Sequence, residues 1–165
     1  MTQIIVLSGA DGVGKDTFAK TMFPDHKRLA FADKLKQLFS EYKKISLEEL
    51  EKNKNSYREE IKEYAKNMRK DNDYYFVDII MNEIRSNEIL INQFDMSEMS
   101  KNDFDDNSIY KNIIITDLRF QIEYNTLKKL KNCHFIYLTR NNSSLNTYEI
   151  NSEMCDYVID IKYKL

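Results

Sequence analysis

The sequence predicts an α/β protein: a parallel sheet of about five strands covered by helices on both faces, giving three layers. Two observations carry that expectation. Residues 3–7 (QIIVL) and 112–117 (NIIITD) are apolar runs rich in β-branched residues, without polar alternation. That is the composition of strands buried on both faces. Stretches of helical periodicity separate such runs, so strands and helices alternate along the chain.

The first strand, 3–7, leads into the only glycine-rich turn, residues 8–16. Phe18, Ala19, Met22 and Phe23 then fall at helical spacing, and Pro24 ends that helix. Residues 28–31 are expected as a short second strand, with His26 in the loop before it. A helix beginning near Asp33 follows, with Ala32, Leu35, Leu38, Phe39 and Tyr42 on its stripe. Residues 43–55 are polar and read as a loop or a short helix. Tyr57, Ile61, Tyr64, Ala65 and Met68 form the next stripe, flanked on one side by Arg58, Lys62, Lys66 and Arg69 and on the other by Glu59, Glu60 and Glu63. This basic row is either the edge of a cleft or a solvated face balanced by its own glutamates.

Asp73 is a candidate cap for a helix through about Asn87, with Val77, Ile80, Met81 and Ile84 inward. Residues 88–112, rich in Asn, Asp and Ser, read as a long variable excursion. After the second apolar strand, Phe120, Tyr124, Leu127 and Leu130 mark a helix. Residues 134–138 (HFIYL) are the next strand, 141–151 a polar loop and 157–161 the last strand.

A chain of 165 residues with 42% hydrophobic residues makes one domain, 1–165, with a substantial core. Lys+Arg 25 against Asp+Glu 27 leaves no surplus cation, which argues against a protein that wraps a nucleic-acid backbone. No run reaches membrane-span length and no basic, apolar leader opens the chain, so a cytoplasmic protein without a membrane partner is expected. Cys133 and Cys155 lack metal-ligand spacing and read as reduced thiols. His26 and His134 read as structural or exposed rather than acid/base groups.

Composition is skewed toward Ile, Asn, Lys and Tyr, so scarce residue types are informative. All three glycines, Gly9, Gly12 and Gly14, lie within six positions. The stretch Gly9, Ala10, Asp11, Gly12, Val13, Gly14, Lys15 matches GxxxxGK, the phosphate-binding P-loop, between a buried-type strand and a helix. Such a loop needs inward backbone N–H groups, glycines that allow the turn, a helix N-terminus behind it and an ammonium that reaches the β and γ phosphates. Asp16 stands where Ser or Thr usually gives a hydroxyl to Mg²⁺, and Thr17 follows. Asp117, ending the second apolar strand, is placed either as a Mg²⁺-orienting acid or as a cap of the following helix. Among six arginines, Arg58, Arg69, Arg119 and Arg140 are candidates for gripping phosphates, a task that suits the guanidinium fork.

These blocks together resemble the bacteriophage-type deoxynucleoside monophosphate kinases, a P-loop family related in fold to adenylate and dephospho-coenzyme A kinases. The likeness rests on LSGADGVGKDT at 7–17, FADKLK at 31–36, YREEIKEYAKNMR at 57–69, ITDLRFQIE at 115–123, and FIYLTR before a loop holding Ser152 and Glu153. Lys34 and Gln121 replace prolines usual in the family's FADPLK and DVRFPNE blocks.

The resemblance implies a three-layer P-loop NTPase fold of nucleoside monophosphate kinase type. It implies an acceptor-binding helical region at about 32–90 and a short lid at about 140–153. It makes Lys15 and the loop amides the cradle for ATP, Thr17, Asp16 and Asp117 the Mg²⁺ side, and Arg119 a clamp on the phosphates in flight. Asp33 would face the acceptor, Lys36, Arg58 and Arg69 would line its monophosphate, and Arg140 would begin the lid.

The implied reaction is γ-phosphoryl transfer from ATP, with Mg²⁺, to a deoxynucleoside monophosphate. The alternatives are another small-molecule P-loop kinase, acting on phosphomevalonate or dephospho-coenzyme A, and a non-catalytic nucleotide-binding module. Neither the accepted base nor the assembly state, monomer or homodimer, is readable from the sequence.

Overall fold

A computed structural model describes residues 2–93, 112–140 and 148–162. The strands are β1 (Gln3–Ser8), β2 (His26–Leu29), β3 (Asn112–Ile115), β4 (Cys133–Thr139) and β5 (Tyr157–Asp160). They form one sheet in the order β2-β3-β1-β4-β5, every pairing parallel. Helices α1 (Lys15–Met22), α2 (Phe31–Lys43), α3 (Leu47–Lys52), α4 (Lys54–Asp71), α5 (Tyr75–Gln93) and α6 (Gln121–Leu127) connect them.

Alternation along each strand sends neighbouring side chains to opposite faces, and the core divides accordingly. Ile4, Val6, Ile113, Ile115 and Phe135 pack with Ala65, Val77, Ile80, Ile84 and Leu127 from α4, α5 and α6. Ile5, Leu7, Ile114, Ile136 and Leu138 pack with Phe18 and Ala19 of α1. Helices therefore lie on both faces of a parallel sheet, as the two apolar runs require.

Several boundaries differ from the sequence expectation. His26 opens β2 rather than preceding it, and its ring packs edge-on against Phe23 at 5.1 Å. Helix α2 starts at Phe31, two residues before Asp33. Near the start of α5 the side-chain acceptor is Asn72, bonded to the Tyr74 N–H at 2.9 Å, and not Asp73. Met22 and Tyr42, expected on the apolar stripes of their helices, are exposed. Helix α5 runs beyond Asn87 to Gln93; the rest of the expected excursion, residues 94–111, lies outside the described residues, as do 141–147 of the expected lid. Cys133 and Cys155 are free and half-buried, and burial pushes their thiols up to about 12 and about 11. No helix among the described residues is long and apolar enough to cross a membrane.

Candidate functional site

The ends of β1, β2 and β3 meet at one edge of the sheet. Segments leaving the adjacent strands β1 and β3 continue into α1 on one face and α6 on the other, the arrangement that opens a crevice beyond strand C-termini. Residues 116–119 are tied there by the Thr116 N–H to Leu29 O (3.2 Å), the Leu118 N–H to Leu7 O (3.2 Å) and the Ser8 hydroxyl to Leu118 O (3.1 Å).

The glycine turn needs its glycines for different reasons. A Cβ on Gly9, at φ 128°, would stand 2.3 Å from the Leu138 carbonyl oxygen of β4, so only glycine lets the loop lie that close to the sheet. Gly14, at φ 103°, is the residue from which α1 departs. Arg140 lies beside it, its Nη2 3.4 Å from where a Cβ would be. Lys15 folds over the loop, its Nζ donating to Gly9 O at 2.7 Å and Ala10 O at 2.9 Å. Burial lowers its pKa, with Arg119 acting in the same direction and Asp11 opposing.

A cleft of about 840 Å³ extends from this loop across the start of α2 to α3 and α4. It is lined by Lys15, Asp16, Thr17, Asp33, Lys36, Arg58, Asp117 and Arg119 of the expected set, together with Asp11, Gly12 and Gly14 of the loop. Lys36 is paired there with Glu51 at 2.5 Å. Lys62, from the basic row on α4, also reaches the cleft, so that row is a cleft edge at its N-terminal half. Seven basic and five acidic side chains line the space, a surplus of two positive charges in a chain of net charge −2. Focusing of that kind attracts anions.

Two candidates hold different posts from those expected. Arg69 stands in a small adjoining pocket that shares Ala32, Leu35, Asp117 and Arg119 with the cleft; its guanidinium faces the rings of Phe76 (5.1 Å) and Phe120 (4.9 Å), bracing α4 against α5 and the segment before α6. Asp117 accepts the Phe31 N–H at 2.9 Å on one oxygen and the Ala32 N–H at 2.8 Å on the other. It therefore caps α2, and not the helix that follows it in sequence. Burial raises the Asp117 pKa against the opposing pull of those two amides.

Arg119 leaves the same segment. Its guanidinium faces the Tyr148 ring at 4.7 Å and approaches Asp11 at 3.6 Å, while its buried Nε has no hydrogen-bond partner among the described residues. Burial, with a hydrogen bond to Asp11, pushes the Tyr148 phenol up to about 12. The Arg119 backbone is held by Glu123, whose Oε2 accepts the N–H groups of Arg119 (2.9 Å) and Phe120 (3.0 Å). Burial pushes the Glu123 carboxyl up to about 7.

Arg28, at the end of β2, joins the two sides of the cleft and was not among the sequence candidates. Its Nε donates to Asp16 at 2.8 Å and its Nη1 to Asp33 at 2.5 Å. Burial works against ionisation of both Asp16 and Arg28, yet their pairing wins, lowering the pKa of Asp16 and raising that of Arg28. The scarcity of arginine, which singled out four others, applied equally to Arg28. Nothing in the polar stretch around Tyr148 singled that residue out.

No protein-family model matches the chain, and no curated protein sequence matches it.

Proposed function

We propose that the protein transfers the γ-phosphoryl group of ATP to a deoxynucleoside monophosphate, giving ADP and a diphosphate. The observation that carries this reading is the convergence of Lys15, Thr17, Asp33, Arg58 and Arg119 on one net-positive cleft beside a glycine loop. Phosphoryl transfer asks for positioning and charge neutralisation and needs no protein nucleophile, which suits a wall of cations and amides. Lys15 and the loop amides would hold the donor phosphates, Arg119 the group in flight, and Arg58 and Lys36 the acceptor phosphate.

Among the described residues, no three acidic, His or Cys groups gather to hold a metal. Magnesium carried on nucleotide phosphates needs only one or two protein oxygens. Thr17, at the cleft wall, is placed to supply one; Asp16 is engaged by Arg28, and each Asp117 oxygen accepts a single α2 amide, which leaves it a lone pair for a Mg²⁺-bound water. When bound, the ion would screen the charge of the β and γ oxygens.

A second reading rests on the part of the cleft beside α3 and α4, whose apolar wall is Leu35, Leu50 and Ile61, the rings of Phe31, Phe76 and Phe120 lying in an adjoining pocket that shares Ala32, Leu35, Asp117 and Arg119 with it. An acyclic phosphorylated acceptor, such as phosphomevalonate, needs no stacking partner. The test is ADP release from Mg·ATP against deoxynucleoside and ribonucleoside monophosphates, phosphomevalonate and dephospho-coenzyme A. Turnover with a deoxynucleotide supports the first reading and turnover with phosphomevalonate alone the second. ATP binding with no turnover on any acceptor leaves a non-catalytic nucleotide-binding module.

A further inference from the structure

Position 16 poses an electrostatic problem. A carboxylate next to Lys15, on the cleft wall, stands where the donor polyphosphate would lie, and like charges there weaken binding. Arg28 answers it with a fork: one nitrogen on Asp16 and another on Asp33, the first acid of α2. Asp16 belongs to the loop side and Asp33 to the acceptor side, so one guanidinium spans the junction where the two ligands would meet. A lysine there would carry the charge without the planar two-point geometry.

We propose that Arg28 is a positioning residue that cancels the charge of Asp16 beside the donor phosphates and holds Asp33 toward the acceptor. The inference rests on the kinase reading for its acceptor half and on ATP binding for its donor half. The Arg28 side chain is a third exposed, so its ion pairs contribute little to folding and the substitution leaves the domain intact.

The experiment measures ATP affinity by calorimetry and acceptor KM by ADP release, for wild type, Arg28→Gln, Arg28→Lys, Asp16→Asn and the double variant Asp16→Asn/Arg28→Gln. Circular dichroism serves as the fold control. Arg28→Gln is expected to weaken ATP binding about tenfold by unmasking Asp16, and the double variant to recover most of that loss. A merely structural role does not produce recovery on removing the second partner. Arg28→Lys is expected to keep ATP affinity within about threefold while raising the acceptor KM, since the fork on Asp33 is lost.

Unchanged ATP affinity in Arg28→Gln, or a double variant no better than Arg28→Gln, overturns the inference. Silence with every acceptor, together with the recovery in ATP binding, refutes phosphoryl transfer and the acceptor half while supporting the donor half. Absence of ATP binding by the wild type overturns the donor site and the Arg28 inference with it.

Discussion

An ammonium partly withdrawn from water, as on Lys15, interacts more strongly with an arriving phosphate than one in bulk solvent. Lys15→Ala and Arg119→Ala are each expected to lower turnover about 10²-fold or more with the fold intact, as lost transition-state stabilisation does. Near-wild-type steady-state rates in either variant remove that residue from the mechanism. Glu123 supports a pH prediction. Its pKa is raised from 4.5 to about 7 on folding, so the folded state prefers the protonated acid. The contribution of this group to stability is then greatest below about pH 4.5, falls as pH rises toward 7 and is flat above, a change on the order of 3 kcal/mol. Glu123→Gln keeps an oxygen for the Arg119 and Phe120 amides without the charge. Urea unfolding should find the variant matching wild type near pH 4.5 and more stable at pH 8; equal midpoints at pH 8 would sink the assignment.

At the scale of elements, two junctions carry more than their length indicates. Helix α2 has no side-chain cap of its own, Ala30 being its N-cap residue, and takes its acceptor from Asp117 after β3. Asp117→Ala leaves two amides at that N-terminus without acceptors and is expected to cost about 1–3 kcal/mol in urea unfolding. This remote cap explains why the start of α2 was misplaced in the sequence: the local residues hold no capping signal, and the true cap lies 85 and 86 positions away. The second junction is Gly9 against β4. Gly9→Ala is expected to destabilise by roughly 2 kcal/mol or more, from strain at positive φ and the contact with Leu138 O. A melting temperature unchanged in that variant would mean that the loop can retreat from the sheet without penalty.

The molecule places its long helical insertion, α2 to α5, between the edge strand β2 and its neighbour β3, so that α2, α3 and α4 wall the side of the cleft opposite the glycine loop. A ligand bound across that junction stabilises every element that lines it. Binding at about 100 times Kd adds roughly 2.7 kcal/mol. For a domain of this size that is on the order of 5–10 °C in Tm. Scanning calorimetry with millimolar Mg·ATP is the measurement; no shift would remove nucleotide binding from consideration.

The sequence by itself determined the alternation of strands and helices, the two apolar central strands and the glycine turn after the first of them. Each of these depends on burial periodicity or on the conformational freedom of one residue, and both are written locally. It also brought forward Lys15 and Thr17 through the GxxxxGK spacing, Arg58 and Arg119 through the scarcity of arginine, and Asp33 through the resemblance of FADKLK to a kinase block. Only the tertiary structure decided that Asp117 caps α2, that Arg69 braces two aromatic rings in the pocket adjoining the cleft, and that Arg28 bridges Asp16 to Asp33. Those are pairings between side chains and partners on different elements, set by strand order and register. No single position in the chain encodes them.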